Sequence, residues 1–153
     1  MAGVETSTDL GAELSRVIGR FRRQLRRSAG HGFTAARLTE SQAELLWLVG
    51  RRPGISVSHA AAELGLVPNT ASTLVSKLAA EGLLVRTVDT ADRRVGRLQL
   101  TESAQQMVDA SRAARRAVLS DVLGELDHDQ IAALTDGLEV LETMARMMRE
   151  RST

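Results

Sequence analysis

The amino-acid sequence predicts a mainly α-helical fold carrying one small β-hairpin. Three observations predict it. Leu and Ala, both helix formers, contribute 21 residues each, while aromatic residues make up only 2% of the chain. Apolar residues recur at helical spacing in the first and last thirds, and both prolines, Pro53 and Pro68, lie in the middle third, away from those long segments. Only between Leu84 and Leu100 does the pattern change to that of strands.

At 153 residues the chain is the size of one domain, or of one domain with extra helices. Hydrophobic residues at 43% and charged residues at 25% exclude wholesale disorder. With no cysteine, disulfide scaffolds, thiolate zinc sites, cysteine nucleophiles and thiol redox sensing are excluded. No apolar run approaches the ~18 residues of a membrane span. The stretch from Met1 to Leu10 is polar and acidic, without a signal-peptide core, so a soluble cytoplasmic protein with no membrane partner is expected. The net charge of +1 is unevenly spread: residues 1–30 carry +3, residues 31–100 carry +2 and residues 101–153 carry −4. The basic two thirds favour a polyanionic partner weakly, and on charge alone solvated helix faces are the leading reading.

Taken in order, the first helix is expected from about Thr8 to Ala29, with Leu10, Leu14, Val17, Phe21 and Leu25 on one face and Gly30-His31-Gly32 as its break. Thr39 opens a second helix with Gln42 at capping-box spacing; Ala43, Leu46, Trp47 and Gly50 follow, and Arg52-Pro53-Gly54 ends it. Ser56 caps a short third helix over Val57 to Leu64, stopped by Gly65. Pro68 suits the first position of a fourth helix reaching Glu81, with Gly82 as its stop and Ala71, Leu74, Val75 and Leu78 as its inner face. Leu84 to Val88 reads as a strand, and Arg97-Leu98-Gln99-Leu100 alternates as a half-buried strand should. The polar turn from Asp89 to Gly96 joins them into a hairpin with a basic loop. Thr101 caps a long helix to about Gly124. Asp127, with Gln130 at capping-box spacing, begins a last helix whose seam is Ile131, Leu134, Leu138, Leu141, Ala145 and Met148.

Two short helices joined by a tight turn, followed by a two-stranded hairpin, describe a winged helix-turn-helix flanked by long helices. The outward positions of the helix from Pro68 to Glu81 are Asn69, Thr70, Ser72, Thr73, Ser76 and Lys77. They are short, carry hydrogen-bonding groups and include no acid, so such a face can approach base edges and phosphates in a major groove. Arg93 and Arg94 in the hairpin loop can reach an adjacent minor groove, whose negative potential attracts arginine. Asp92 is close enough to hold one of these guanidiniums through a forked hydrogen bond. Lys77 suits a phosphate, and Arg86 serves either backbone contact or support of the wing.

From about Leu45 to Thr101 the chain resembles the MarR family of bacterial transcriptional regulators. The resemblance rests on Ser56-Val57-Ser58-His59-Ala60-Ala61-Ala62-Glu63-Leu64-Gly65, on Asn69-Thr70-Ala71-Ser72-Thr73-Leu74-Val75, and on Leu78 through Glu81-Gly82-Leu83-Leu84-Val85-Arg86. Asp92-Arg93-Arg94, followed by Leu100-Thr101, matches the family's D-x-R … L-T wing pattern. Length and helix order match over nearly the whole chain. The resemblance implies a homodimer whose terminal helices form the interface, binding a pseudo-palindrome in double-stranded DNA, and a small-molecule effector that releases it. It makes residues 1–37 and 102–153 the dimerisation segments around a DNA-binding lobe at 38–101, with Leu10, Leu14, Val17, Ile131, Leu134, Leu138 and Leu141 in the interface. Arg22, Arg26 and Trp47 become candidates for the effector pocket, against the plainer readings of a solvated helix face and a core aromatic. By the family pattern Arg94 enters the minor groove and Asp92 orients it. Two departures stand out: Val67 occupies the position where the family often has a capping Ser, Thr or Asp, and the absence of cysteine excludes the thiol-oxidation branch.

No catalytic arrangement emerges. His31, His59 and His128 are scattered, and no phosphate-binding glycine loop, nucleophile elbow or H-E-x-x-H is present. His59 and Glu63 share a helical face but lack further ligands, so a surface pair is expected and not a metal site. The expectation is a ligand-responsive repressor with no enzymatic activity and no cofactor. A helical interaction protein whose winged lobe binds another protein is the alternative.

Overall fold

A computed structural model describes residues 2–29 and 38–151. The elements are α1 (Ala2–Ser28), α2 (Glu40–Arg51), α3 (Val57–Leu64), α4 (Pro68–Ala80), β1 (Leu84–Val88), β2 (Gly96–Leu100), α5 (Glu102–Gly124) and α6 (His128–Arg151). The chain forms two compact units that divide within α5, after Arg115.

Helix α1 begins at Ala2, six residues before the expected Thr8. The expected start followed the apolar stripe, and the polar residues before Leu10 carry no such signal. The Gly30-His31-Gly32 break lies outside the described residues. The capping box of α2 is formed: Thr39 Oγ1 accepts from Gln42 N–H at 3.3 Å, and Gln42 Oε1 accepts from Thr39 N–H at 2.8 Å. Ser56 caps α3 by accepting from His59 N–H at 3.2 Å, and Gly65 closes it in the left-handed region at φ 64°. Pro68 opens α4 behind Val67, which makes no side-chain cap bond.

Strands β1 and β2 pair antiparallel, with Leu84 opposite Leu100, Arg86 opposite Leu98 and Val88 opposite Gly96. The turn between α2 and α3 adds to the sheet edge. Gly54 N–H donates to Leu98 O at 2.8 Å, Leu98 N–H donates to Ile55 O at 2.9 Å, and Ser56 bridges Arg97. The hairpin is thus anchored to the helical lobe along β2.

The core lies under this sheet. Leu45, Leu46, Leu48 and Val49 of α2 meet Ala60, Val75, Leu78, Leu84, Leu98, Ala104 and Val108. Burying each Leu contributes roughly 1.5–3 kcal/mol. α2 buries a wider face than its sequence stripe suggested because neighbours surround it: α3, α4, β2 and the start of α5. Trp47 is half-buried and packs against the same cluster.

In the second unit, Asp127 and Gln130 cap α6 reciprocally: Gln130 N–H donates to Asp127 Oδ1 at 2.8 Å and Asp127 N–H to Gln130 Oε1 at 3.0 Å. No residue of α6 is buried. Its seam stays open, with Leu134 at 43% and Leu138 at 54% exposure.

Candidate nucleic-acid interface

Helix α4 docks through Ala71, Val75 and Leu78, which are buried, with Leu74 half-buried. This leaves Asn69, Thr70, Ser72, Thr73, Ser76 and Lys77 exposed on the other side. The hydroxyls there are not equivalent. Thr73 Oγ1 donates to Asn69 O at 2.9 Å, so its proton is engaged by the helix backbone and its lone pairs and methyl face outward. Ser72 Oγ has no partner among the described residues and can donate or accept.

The wing loop is ordered from its base. Asp89 Oδ1 accepts from Ala91 N–H at 2.7 Å and from Asp92 N–H at 3.2 Å. Asp89 Oδ2 takes Arg97 Nε at 2.7 Å and Nη2 at 2.6 Å. The Ala91 N–H, the Arg97 guanidinium and the Asp92 N–H hold the Asp89 carboxyl below its usual range. Arg97 Nη1 also reaches Gly54 O at 3.3 Å, tying the loop to the turn before α3.

The expected fork from Asp92 to a loop guanidinium is not what the structure has. Asp92 Oδ1 accepts instead from the Arg94 backbone N–H at 2.9 Å. Two residues of separation favour this local turn, because the backbone N–H is already in reach and costs no side-chain ordering. Asp89 and Arg97 were missed by sequence reasoning. The signal available was an Asp and an Arg at the two ends of the loop, where antiparallel pairing returns the chain to its start.

The side chains of Arg86, Arg93, Arg94 and Lys77 have no hydrogen-bond or ion-pair partner among the described residues. By contrast, Arg52 pairs with Glu63 at 3.0 Å and Arg97 with Asp89. An open cleft of about 230 Å³ lies between the wing and the starts of α3 and α4, lined by Ser56, Ser58, Pro68, Arg86, Arg94 and Gly96, among others. The sequence reading places Gly96 at the end of the polar turn. It is instead a buried strand residue under Arg86, and a Cβ on it would lie 2.3 Å from Arg86 Nε.

Arg22 and Arg26 pair with carboxylates of α2, and both act on the charge of Arg115, which lies over Trp47. Arg22 Nη2 pairs with Glu40 at 2.5 Å and Glu44 at 2.7 Å, and Arg26 lies 3.7 Å from Glu40. The guanidinium carbon of Arg115 sits 3.6 Å from the centroid of the Trp47 ring, a cation–π contact. Burial pushes the Arg115 pKa down, and the charges of Arg22 and Arg26 add to the effect. Arg115 was missed because its partner lies far away in sequence.

No group of three or more His, Asp or Glu residues that could hold a metal ion occurs among the described residues. No described helix is long and apolar enough to cross a membrane.

Residues 31–95 match the family model of the MarR family. Among solved structures, FabT of Streptococcus pneumoniae in complex with DNA superposes with a TM-score of 0.79 at 18% identity, over 92% of this chain and 98% of its own; at that identity the likeness is one of fold. CouR bound to a 23-mer DNA duplex has a TM-score of 0.66 at 27% identity, over 90% of this chain and 95% of its own. CouR from Rhodococcus jostii RHA1 bound to p-coumaroyl-CoA has a TM-score of 0.65 at 26% identity, over 88% of this chain and 92% of its own. No curated protein matched the chain.

Proposed function

We propose that this chain, whose residues 31–95 match the MarR family model, is a dimeric, sequence-specific repressor of the MarR type that binds a pseudo-palindromic operator and is released by a small effector. One observation carries the reading. The exposed face of α4, short, polar and free of acid, shares one lobe with the unpaired guanidiniums of Arg93 and Arg94. In this reading α4 enters the major groove with Asn69, Thr70, Ser72, Thr73 and Ser76, Lys77 takes a phosphate, and Arg94 enters the minor groove. FabT and CouR, both solved on DNA, support it.

Residues 38–101 act as the reading lobe, and residues 1–37 and 102–153 as dimerisation segments. Support for the dimer comes from apolar residues that one chain leaves exposed: Leu10, Val17 and Phe21 on α1, and Leu134 and Leu138 on α6. The effector is an anionic or aromatic molecule bound near Arg22, Arg26 and Trp47, where the Arg22 and Arg26 guanidiniums share Glu40 and Glu44 and Arg115 lies over the Trp47 ring. CouR, solved with p-coumaroyl-CoA, shows that a structural neighbour takes an anionic aromatic thioester. Selection of bound sites from random duplex DNA tests the reading. A recovered inverted repeat supports both sequence reading and two-fold symmetry. Recovery of no preferred sequence, with weak and unselective DNA binding, overturns it in favour of a lobe that binds protein.

A further inference from the structure

The cleft beside the wing has features that reading base edges does not require. Arg86 is exposed, its guanidinium has no partner among the described residues, and it passes directly over Gly96. Val88 pairs with Gly96 and Arg86 with Leu98, so Arg86 and Gly96 are diagonal neighbours on the hairpin. The Arg86 group lies flat on the bare Cα of Gly96: a Cβ there would meet Nε at 2.3 Å and both Cζ and Nη2 at 3.0 Å. Any side chain at position 96 displaces the guanidinium from this place.

A second donor faces the same space. Ser56 is buried, and its Oγ accepts from His59 N–H while lying 3.2 Å from Ser58 Oγ. With one lone pair engaged by His59, Ser56 still carries its proton and can give it to Ser58. The exposed Ser58 hydroxyl then keeps its own proton for an acceptor in the cleft. Arg94 borders the space from the loop side, and no carboxylate lines it. An unpaired cation, a neutral donor and an acid-free wall suit a tetrahedral anion.

We propose that this cleft seats one backbone phosphate of duplex DNA, with Arg86 as its cation, Ser58 as its neutral donor and Gly96 as the positioning residue that keeps Arg86 in place. The proposal rests on the DNA-binding reading above and adds a contact that is blind to sequence. A phosphate seated between wing and helices sets the register of both on the duplex.

The test compares wild type, Arg86→Gln, Gly96→Ala, Ser58→Ala and the Arg86→Gln/Gly96→Ala double variant, on a mixed-sequence duplex and on a selected site, across a salt series. Arg86→Gln should lose about tenfold in affinity on both duplexes alike, and its plot of log affinity against log salt should be shallower by about one unit. Gly96→Ala should behave similarly, while adding nothing to Arg86→Gln in the double variant. Ser58→Ala should lose affinity with an unchanged slope. A loss confined to the selected site overturns the phosphate assignment in favour of base reading. An additive double variant overturns Gly96 as a positioning residue, since it then acts on the fold and not through Arg86. If wild type binds duplex and Arg86→Gln matches it at every salt concentration, the seat is refuted while the DNA-binding reading stands. If wild type binds no duplex even at low salt, both fall together.

Discussion

Arg97 places Nε and Nη2 on one oxygen of Asp89, at 2.7 and 2.6 Å, while the other oxygen of the same carboxylate accepts the backbone N–H groups of Ala91 and Asp92. One side chain therefore organises the outgoing half of the wing loop and fastens it to the returning strand. Arg97 extends the link to the Gly54 carbonyl in the helical lobe. The loop arginines Arg93 and Arg94 are left with side chains unpaired among the described residues. Order in the wing and charge at its tip thus come from different residues.

This division predicts the behaviour of Asp89 variants. Asp89→Ala should speed amide hydrogen exchange at Ala91 and Asp92, which lose their acceptor, and should weaken DNA binding severalfold through a looser loop. Asp89→Asn should retain part of the backbone capping and lose the ion pair. The pH dependence follows from the sign of the shift. The folded carboxyl titrates below its ordinary value of 3.8, so its ordering effect is complete above that value and fades as pH falls through the lower folded value. Exchange at Ala91 and Asp92, corrected for intrinsic rates, should be flat at neutral pH and rise only in that acid range. Slow exchange in Asp89→Ala would show that the loop is ordered by something else.

On α4, Ser72 and Thr73 should differ. Ser72→Ala removes a hydroxyl with no partner among the described residues, and the loss on the best operator should be about 1–3 kcal/mol if a base contact goes with it. Thr73→Ser keeps the bond to Asn69 O and removes only the methyl, so its effect should be confined to positions where a thymine methyl is read. Site selection with both variants checks this. Unaltered operator preference in both would remove α4 from base reading.

Arg94→Ala should weaken binding to many sequences, and most to those with A·T-rich flanks, where a narrow minor groove concentrates negative potential. Helical content by circular dichroism and the oligomeric state should not change, because the residue is exposed. Affinity measured over a salt series for flank variants decides it. If the loss is independent of the flanks, the tip contacts phosphate and not the minor groove.

Most of the fold was legible in the chain because its elements are locally encoded. Thr39 with Gln42, Ser56 with Gly65, Pro68, and Asp127 with Gln130 are signals read within a single turn, and the helix ends fall where they do. The inner face of α4 followed from periodicity in the same way. What escaped depends on contacts between distant segments. Arg115 meets Trp47 across two helices, and Arg97 meets Asp89 across the hairpin and Gly54 in the turn before α3. Gly96 reads as a turn residue in sequence, and only the register of the hairpin reveals Arg86 above it.

The Trp47–Arg115 contact offers an optical readout. Trp47 is the only tryptophan in the chain, and the Arg115 guanidinium lies 3.6 Å from its ring centroid. Arg115→Ala should uncover that face of the ring, shift the emission to longer wavelength and reduce stability to urea by about 0.5–2 kcal/mol. An anionic aromatic effector bound near Arg22 and Arg26 should alter the same emission in wild type and much less in Arg22→Ala. Emission unchanged by Arg115→Ala would mean that the contact does not persist in solution.

The dimer prediction turns on residues that one chain leaves uncovered. Leu138 is 54% exposed and Leu134 43% exposed on α6, where no residue is buried, and Leu10, Val17 and Phe21 of α1 are 67%, 47% and 55% exposed. Covering each large apolar side chain contributes roughly 1.5–3 kcal/mol at full burial. A second copy offering the same seam can supply that cover by two-fold symmetry. Leu138→Asp introduces two like charges facing each other across such a seam, while removing nothing from the core built by Leu45, Leu46, Leu78 and Leu98. The variant should therefore yield monomer at concentrations where wild type is a dimer, with the lobe still folded wherever it does not need the partner. Light scattering gives the mass, and Trp47 emission reports on the lobe in the same sample. Operator affinity should fall more than non-specific affinity, because only two linked lobes can engage both halves of an inverted repeat. A wild-type chain that is monomeric at micromolar concentration, or a Leu138→Asp variant that remains dimeric, would remove the α6 seam from the interface.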